Sequence, residues 1–214
     1  MEYLPKEELS KVLSYKIDKI YCDFVGSITS IPVENKTFSA TASCHVIEHT
    51  SDPLKAIREQ IRVTKESGYV LIIIPNFRAN KFDFQREPLD INYFKEQHED
   101  PEKIIKNTQK QINEYLKIHR RRPEKAESIR SGETRPHYYT YCAKLLEDLI
   151  IEACKLEQRT ASMVASFYHD YNNEILALLK LDTDESLENI KSSINGTEKK
   201  ALAREKLIEI SKVK

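Results

Sequence analysis

The spacing of hydrophobic residues predicts alternating strands and helices in the first third of the chain. Residues 19–25 and 39–46 are rich in alternating or β-branched side chains, a pattern typical of strands. Asp52 followed by Pro53 predicts the start of a helix that ends near residue 68. Its apolar positions are Leu54, Ile57 and Ile61. The apolar run 69–74 then predicts a strand buried on both faces, and this order implies a right-handed crossover between parallel strands.

Helical patterns lie before and after this strand-helix-strand unit. Residues 7–15 predict a short helix, and residues 143–153 predict a strongly amphipathic one. The polar stretch 77–135, with a helix starting at Asp100, is interpreted as a helical insertion. The tail from Glu174 onward is interpreted as two helical stretches.

Together these patterns predict an α/β fold, namely a partial Rossmann-like, mostly parallel sheet with flanking helices. Residues 159–168 supply a further strand late in the sheet. We expect one α/β domain over residues 1–172, which includes the insertion at 77–135, and a helical C-terminal extension over residues 173–214.

The amino-acid composition limits the classes of protein to which this chain could belong. Of 214 residues, 40% are apolar and 32% are charged, which is enough for a core but leaves some helices mostly solvated. Lys plus Arg equals Asp plus Glu at 34 each, so we expect no nucleic-acid partner. The longest apolar run, 69–75, is far below the ~20 residues that span a bilayer, so we expect no membrane span.

Cysteine and glycine usage adds two expectations. The four cysteines lie far apart in sequence, and the first residues lack a secretory pattern, so we expect a reducing, cytoplasmic location. The four glycines are Gly26, Gly68, Gly132 and Gly196. None lies within ten residues of another, which excludes a glycine-rich phosphate or nucleotide loop in this sequence.

A series of short motifs between residues 31 and 76 carries the functional information. In chain order they are Ile31-Pro32, Lys36-Thr37-Phe38-Ser39-Ala40, Cys44-His45-Val46-Ile47-Glu48-His49, Asp52-Pro53-Leu54, Arg62-Val63-Thr64-Lys65-Glu66-Ser67-Gly68-Tyr69 and Ile74-Pro75-Asn76. In order and spacing, the series resembles the second half of class I S-adenosylmethionine-dependent methyltransferases of the type 11/12 group. With the later segment His137-Tyr138-Tyr139-Thr140-Tyr141, the resemblance covers about residues 17 to 168.

The resemblance implies a cofactor, an acceptor and a set of site residues. The cofactor would be S-adenosylmethionine, and the acceptor a small molecule, a sugar or a lipid, with the insertion shaping the acceptor pocket. The implied cofactor-binding residues are Ser27, Ile28, Cys44 and His45. The implied catalytic residues, on the acceptor side, are His49 and His137.

Departures from the family pattern weaken the expected cofactor binding. The glycine-rich turn and the acidic residue that holds the ribose cannot be placed, and Ser27 and Ser39 stand where the family usually has Asp. We therefore expect an N-terminally truncated or degenerate methyltransferase that binds the cofactor weakly or not at all. The alternative is a non-catalytic interaction module on the same scaffold, with a second copy or a partner chain covering an exposed sheet edge.

Other chemistries for the same residues are less well supported. His45-Val46-Ile47-Glu48-His49 matches the H-x-x-E-H zinc motif, but that motif requires a helix and the flanking residues do not predict one, so we expect no metal site. Cys44 could act as a nucleophile only with a base such as the neighbouring His45. Adjacent residues of a strand point to opposite faces, so the two cannot pair, and we expect a buried cysteine at position 44. For His137 and its tyrosines, an acceptor pocket and a half-exposed sheet edge both remain open. The basic run 120–122 is interpreted as a solvated helix end, with local anion or nucleic-acid contact by this run and Arg130 as the alternative.

Overall fold

A four-stranded sheet with helices packed against it forms the part of the chain that the computed structural model describes. The described residues are 25–79, 82–118, 127–129, 135–168, 174–191 and 194. The strands are β1 (Phe38–Cys44), β2 (Thr64–Pro75), β3 (Ala161–Tyr168) and β4 (Glu174–Leu181). The helices are α1 (Pro53–Val63), α2 (Ile91–His98), α3 (Pro101–Ile118) and α4 (Ala143–Leu156), and short 3-10 turns lie at Ile47–His49, Asp83–Gln85 and Leu187–Ile190.

The strand order is β1-β2-β4-β3, and this sheet with its helices confirms the predicted α/β class. β1 and β2 are parallel, whereas β4 runs antiparallel to both β2 and β3. Among the described strands, the expected mostly parallel sheet thus has one parallel pairing and two antiparallel ones. Only residues 169–173 connect β3 to β4, too few for the crossover that a parallel pairing requires.

Helix α1 begins as the sequence predicts. Asp52 Oδ1 accepts a hydrogen bond from the Lys55 backbone N at 3.0 Å, and Pro53 occupies the first turn. The apolar stripe of α1 is buried against α4 in the main core. Four further predictions are confirmed within a few residues. The strands predicted at 39–46 and 159–168 are β1 and β3, and the helices predicted from Asp100 and at 143–153 are α3 and α4.

The connection from α1 to β2 is tighter than the sequence suggests. The helix ends at Val63 and β2 begins at Thr64, while residues 65–68 form a bulge, since the pairing jumps from Phe38↔Thr64 to Ala40↔Tyr69. A Cβ on Gly68 would lie 2.8 Å from the Ser39 carbonyl oxygen, so the bulge requires glycine there.

The prediction that residues 69–74 are buried on both faces is wrong for one face. Val70, Ile72 and Ile74 are fully buried under the helices. The alternate residues, Tyr69 and Leu71, are half-buried in a small cluster with residues of β3 and β4. The strand therefore shows a period of two, as expected when helices cover one face.

The prediction of a helical tail from Glu174 is wrong for residues 174–181, which form β4 at the centre of the sheet. The residues Ile175, Ala177, Leu179 and Leu181 are buried with a period of two. Leu, Ala, Glu and Lys favour a helix locally, but pairing with β2 and β3 overrides that propensity. The predictions for residues 7–15, 19–24, 120–122 and 195–214 lie outside the described residues.

The predicted insertion carries α2, which the sequence analysis did not identify, and α3. Among the described residues, no helix has both the length and the apolar character needed to cross a membrane.

Candidate active site

The candidate site lies where the parallel pair β1 and β2 ends. The chain leaves β1 at Cys44 and turns at His45, which has a φ of 52° and donates its backbone N–H to the Ile73 carbonyl at 3.0 Å. Histidine is one of the residue types that adopt this left-handed conformation more readily than most. The carboxyl ends of parallel strands are the usual place for ligands in such sheets. The turn at His45 therefore presents the next residues to a ligand-binding edge.

A cleft of about 1190 Å³ opens at this edge. Its walls are the loop 26–29, the turn residues 45–46 and 49–51, and one side of α3. Arg135 and Tyr138 complete the lining. The cleft is large enough for a nucleoside cofactor or a sizeable acceptor, since ligand pockets generally have volumes of about 300 to 1000 Å³.

The structure brings four of the six predicted site residues into this cleft. Ser27, Ile28, His45 and His49 all line it. Cys44 is exposed and is not among the lining residues, so the expectation of a buried Cys44 is wrong. It ends an edge strand whose side chains are mostly exposed, and no described strand covers its other edge.

His137 stands behind His49. The two imidazole centroids are 4.9 Å apart in an edge-to-face arrangement. The Tyr138 backbone N–H donates to the Glu48 carbonyl oxygen at 2.8 Å and so holds the two segments together. The two histidines predicted as catalytic are thus direct neighbours, although only His49 lines the cleft.

The hydrogen bonds of both histidines define their tautomers. His49 Nδ1 lies 3.0 Å from the Pro136 carbonyl oxygen, which can only accept, so Nδ1 carries the proton. His137 Nδ1 lies 2.7 Å from Asp83 Oδ2, and Arg86 donates to the other oxygen of that carboxylate at 2.9 Å. In the neutral ring, Nε2 of each histidine therefore carries a lone pair.

Glu48 lies beneath these rings and is fully buried. Neither carboxylate oxygen has a hydrogen-bond partner among the described residues. Oε1 lies 3.4 Å from His45 Nδ1 and 3.9 Å from His49 Nε2, and His45 Nε2 contacts Glu174 Oε1 at 2.8 Å. A buried carboxylate without partners is costly, so Glu48 is the most unusual polar group at this edge.

The Glu48 carboxylate also raises the pKa values of two neighbouring groups, Tyr141 and Cys44. Burial raises the pKa of the Tyr141 hydroxyl well above its ordinary value, and the negative charge of Glu48 raises it further. The pKa of the Cys44 thiol is raised by desolvation and by Glu174 and Glu48, which disfavours the nucleophilic thiolate.

Residues 45–49 lie at a strand end and in a 3-10 turn, so His45 and His49 do not share a helix face as the zinc-peptidase motif requires.

Several residues of the site were not identified from the sequence. Asp83, which begins a 3-10 turn, and Arg86, which follows that turn, position His137 from more than fifty residues away, and no local pattern connects them to it. Ile104 and Ile105 of α3 line the cleft, and the only signal for them was an apolar pair within a polar helix.

Comparisons with known proteins agree with the motif series. Residues 6–72 match the family model described as a methyltransferase domain. An uncharacterized methyltransferase of Schizosaccharomyces pombe is 40% identical over 67 residues, which are 30% of this chain and 24% of that protein. The chain therefore matches about a quarter of the length of this curated relative.

A solved structure is also similar to the chain. It is an S-adenosylmethionine-dependent methyltransferase, described as a possible histamine N-methyltransferase, from Thermotoga maritima. The likeness covers 74% of this chain and 62% of that one, at 13% identity and a TM-score of 0.38.

The sequence match covers most of the motif series between residues 31 and 76 and ends before His137. Residues 6–72 are therefore similar in sequence to a methyltransferase domain, and this similarity covers just under a third of the chain.

Proposed function

We propose that this chain takes part in S-adenosylmethionine-dependent methyl transfer to a small-molecule acceptor, a class in which we include sugars and lipids. One observation carries the proposal. Three residues expected to bind the cofactor, Ser27, Ile28 and His45, line the same cleft as His49, which is expected to be catalytic. This cleft lies at the carboxyl ends of β1 and β2, within a chain that matches a methyltransferase domain.

The described residues fit the cofactor in size and in chemical character. The cleft has room for it, and Ile28 supplies an apolar wall of the kind that packs against an adenine ring. Bound there, the cofactor would supply a methyl group on a positively charged sulfur.

The residues of the chain would position the acceptor and accept its proton. His49 lines the cleft and its Nε2 carries the lone pair, so we assign it the role of general base for an acceptor hydroxyl or amine. His137 holds the His49 ring by edge contact and is itself held by Asp83. We assign His137 a positioning role for the ring of His49.

We expect weak cofactor affinity. The Ser27 hydroxyl lies 2.8 Å from Thr29 Oγ1 and accepts from the Thr29 backbone N–H at 3.2 Å. It is engaged within its own loop and offers no carboxylate where the family usually has Asp. Losing a charge-assisted hydrogen bond of this kind costs about 1.5 to 3 kcal/mol of binding.

Calorimetric titration of the full chain with S-adenosylmethionine and S-adenosylhomocysteine tests the proposal. We expect measurable binding that Ile28→Asp weakens at least about tenfold, because a charge would face the adenine ring. His98→Gln is the matched control, since His98 is not a cleft residue. The absence of heat with both ligands would overturn the methyl-transfer proposal.

A second candidate is a non-catalytic interaction module. It is favoured by β1, whose outer edge has no strand partner among the described residues and whose side chains are mostly exposed. A second copy or a partner chain would pair with that edge, and light scattering on the purified chain tests self-association.

For either candidate we propose a reducing, cytoplasmic setting, because the cysteines of the described part are all free.

A further inference from the structure

We propose that Glu48, His49 and His137 bind a divalent transition metal ion, with Zn²⁺ as the best match. One donor atom of each side chain lies within 4.8 Å of the donors of the other two. Two imidazole nitrogens and one carboxylate oxygen are a donor set suited to Zn²⁺, Fe²⁺ or Co²⁺ rather than to Mg²⁺ or Ca²⁺, which prefer oxygen ligands.

The hydrogen bonds behind the two histidines have the pattern of metal ligands. A histidine that binds metal through one nitrogen usually donates its other N–H to a carbonyl or a carboxylate. His49 donates from Nδ1 to a backbone carbonyl, and His137 donates from Nδ1 to Asp83. Both rings are therefore fixed in the tautomer whose Nε2 can coordinate.

The carboxylate of Glu48 provides the independent observation. It is fully buried, and its oxygens accept no hydrogen bond from the residues that the structure describes; Oε1 lies 3.4 Å from His45 Nδ1 and 3.9 Å from His49 Nε2. Two ligands of one ion, each at about 2.0 to 2.2 Å, are separated by roughly 3 to 4.4 Å. An ion between these atoms would give the buried Glu48 carboxylate a cationic partner, with the three donors drawn together from separations of at most 4.8 Å.

Three protein ligands leave at least one coordination position open, as in catalytic zinc sites. His49 lines the cleft, so that position would be accessible from the cleft. An acceptor oxygen bound there would lose its proton more readily, so in the metal-bound protein His49 would act as a ligand in place of the general-base role assigned above. Metal binding itself does not depend on methyl transfer, and its test needs neither cofactor nor acceptor.

The test is titration of the full chain with Zn²⁺, and with Co²⁺ as a spectroscopic probe, in a Cys44→Ser background. That background removes the exposed thiol as a competing ligand. We expect one equivalent of Zn²⁺, visible absorption of bound Co²⁺, and thermal stabilisation by Zn²⁺. His49→Gln, His137→Gln and Glu48→Gln should each weaken Zn²⁺ binding by more than about tenfold.

His98→Gln is the matched control for His137→Gln. Nδ1 of His98 also contacts a buried aspartate, Asp52, at 2.8 Å, but His98 lies outside the proposed site. Its loss should leave Zn²⁺ affinity unchanged. If one ligand variant fails to fold by circular dichroism, the other two carry the test. No binding of Zn²⁺, or binding that the ligand variants leave unchanged, would overturn the proposal.

Discussion

His137 donates from Nδ1 to Asp83 Oδ2 across 2.7 Å, and this bond connects the candidate site to a buried ion pair. Arg86 donates to the other carboxylate oxygen at 2.9 Å and also to the carbonyl oxygens of His137 and Tyr138. Both charged side chains are almost fully buried. The Asp83–Arg86 pair therefore fixes both the ring and the backbone of His137.

Replacing Asp83 by Ala should destabilise the protein strongly, because Arg86 would remain buried without its counter-charge. We expect a loss of about 3 to 5 kcal/mol in the free energy of unfolding, measured in urea. Glu66→Ala is the matched control, since Glu66 pairs with Lys36 on the surface, and it should cost less than about 1 kcal/mol. Equal losses in the two variants would contradict this role for the buried pair.

Acid should weaken a second ion pair, between Arg159 and Asp182. Arg159 also donates to the carbonyl oxygens of Ile61 and Thr64, so it joins α1, β2 and the end of β4. Its hydrogen bond to Asp182, together with its positive charge, holds the pKa of that carboxyl below the ordinary 3.8. The pair therefore stabilises the fold above about pH 4, and the stabilisation is lost as the pH falls through the lowered pKa.

The variant Asp182→Asn should lose about 1.5 to 3 kcal/mol of stability at neutral pH and should show a smaller further loss below about pH 4. Urea unfolding at a series of pH values measures both effects. Glu188→Gln is the control, because Glu188 pairs with Lys191 while exposed, and its removal should leave the pH profile nearly unchanged. An unaltered acid profile in Asp182→Asn would contradict the role of this pair.

Cys44 and Cys154 should differ sharply in their reactivity toward alkylating reagents. Burial raises the pKa of the Cys154 thiol to about 12, whereas Cys44 is exposed. At slightly alkaline pH, a pKa of 12 leaves a thiolate fraction roughly a thousandfold below that of an ordinary thiol. We expect iodoacetamide to modify Cys44 in the native protein and Cys154 only after unfolding, as followed by peptide mass spectrometry.

Leu179 tests the position of β4. It is fully buried at the centre of the sheet, paired with Val70 on one side and Met163 on the other. Leu179→Ala should lower the free energy of unfolding by about 2 to 5 kcal/mol, through lost burial and a residual cavity. Lys180→Ala, one position along the strand, should cost under about 0.5 kcal/mol. A small effect of Leu179→Ala would contradict a central β4.

The sequence by itself determined the elements whose signals are local. The cap at Asp52, Pro53 and the spacing of the apolar stripe define α1, and the apolar run after residue 68 defines the main part of β2. The family resemblance of the motif series also implied Ser27, Ile28, His45 and His49 as site residues, and these four line one cleft. His45 and His49 lie together at this edge because they follow β1, and a parallel pair brings its carboxyl ends to one edge.

Only the tertiary structure decided the rest. Residues 174–181 have helix-favouring side chains but form a strand, because hydrogen bonds to β2 and β3 outweigh a propensity of a few tenths of a kcal/mol per residue. The pairing of His137 with Asp83, and the placement of Glu48 beneath two imidazoles, depend on contacts between distant segments. Local patterns cannot encode such contacts, since they arise only when the packed sheet brings those segments together.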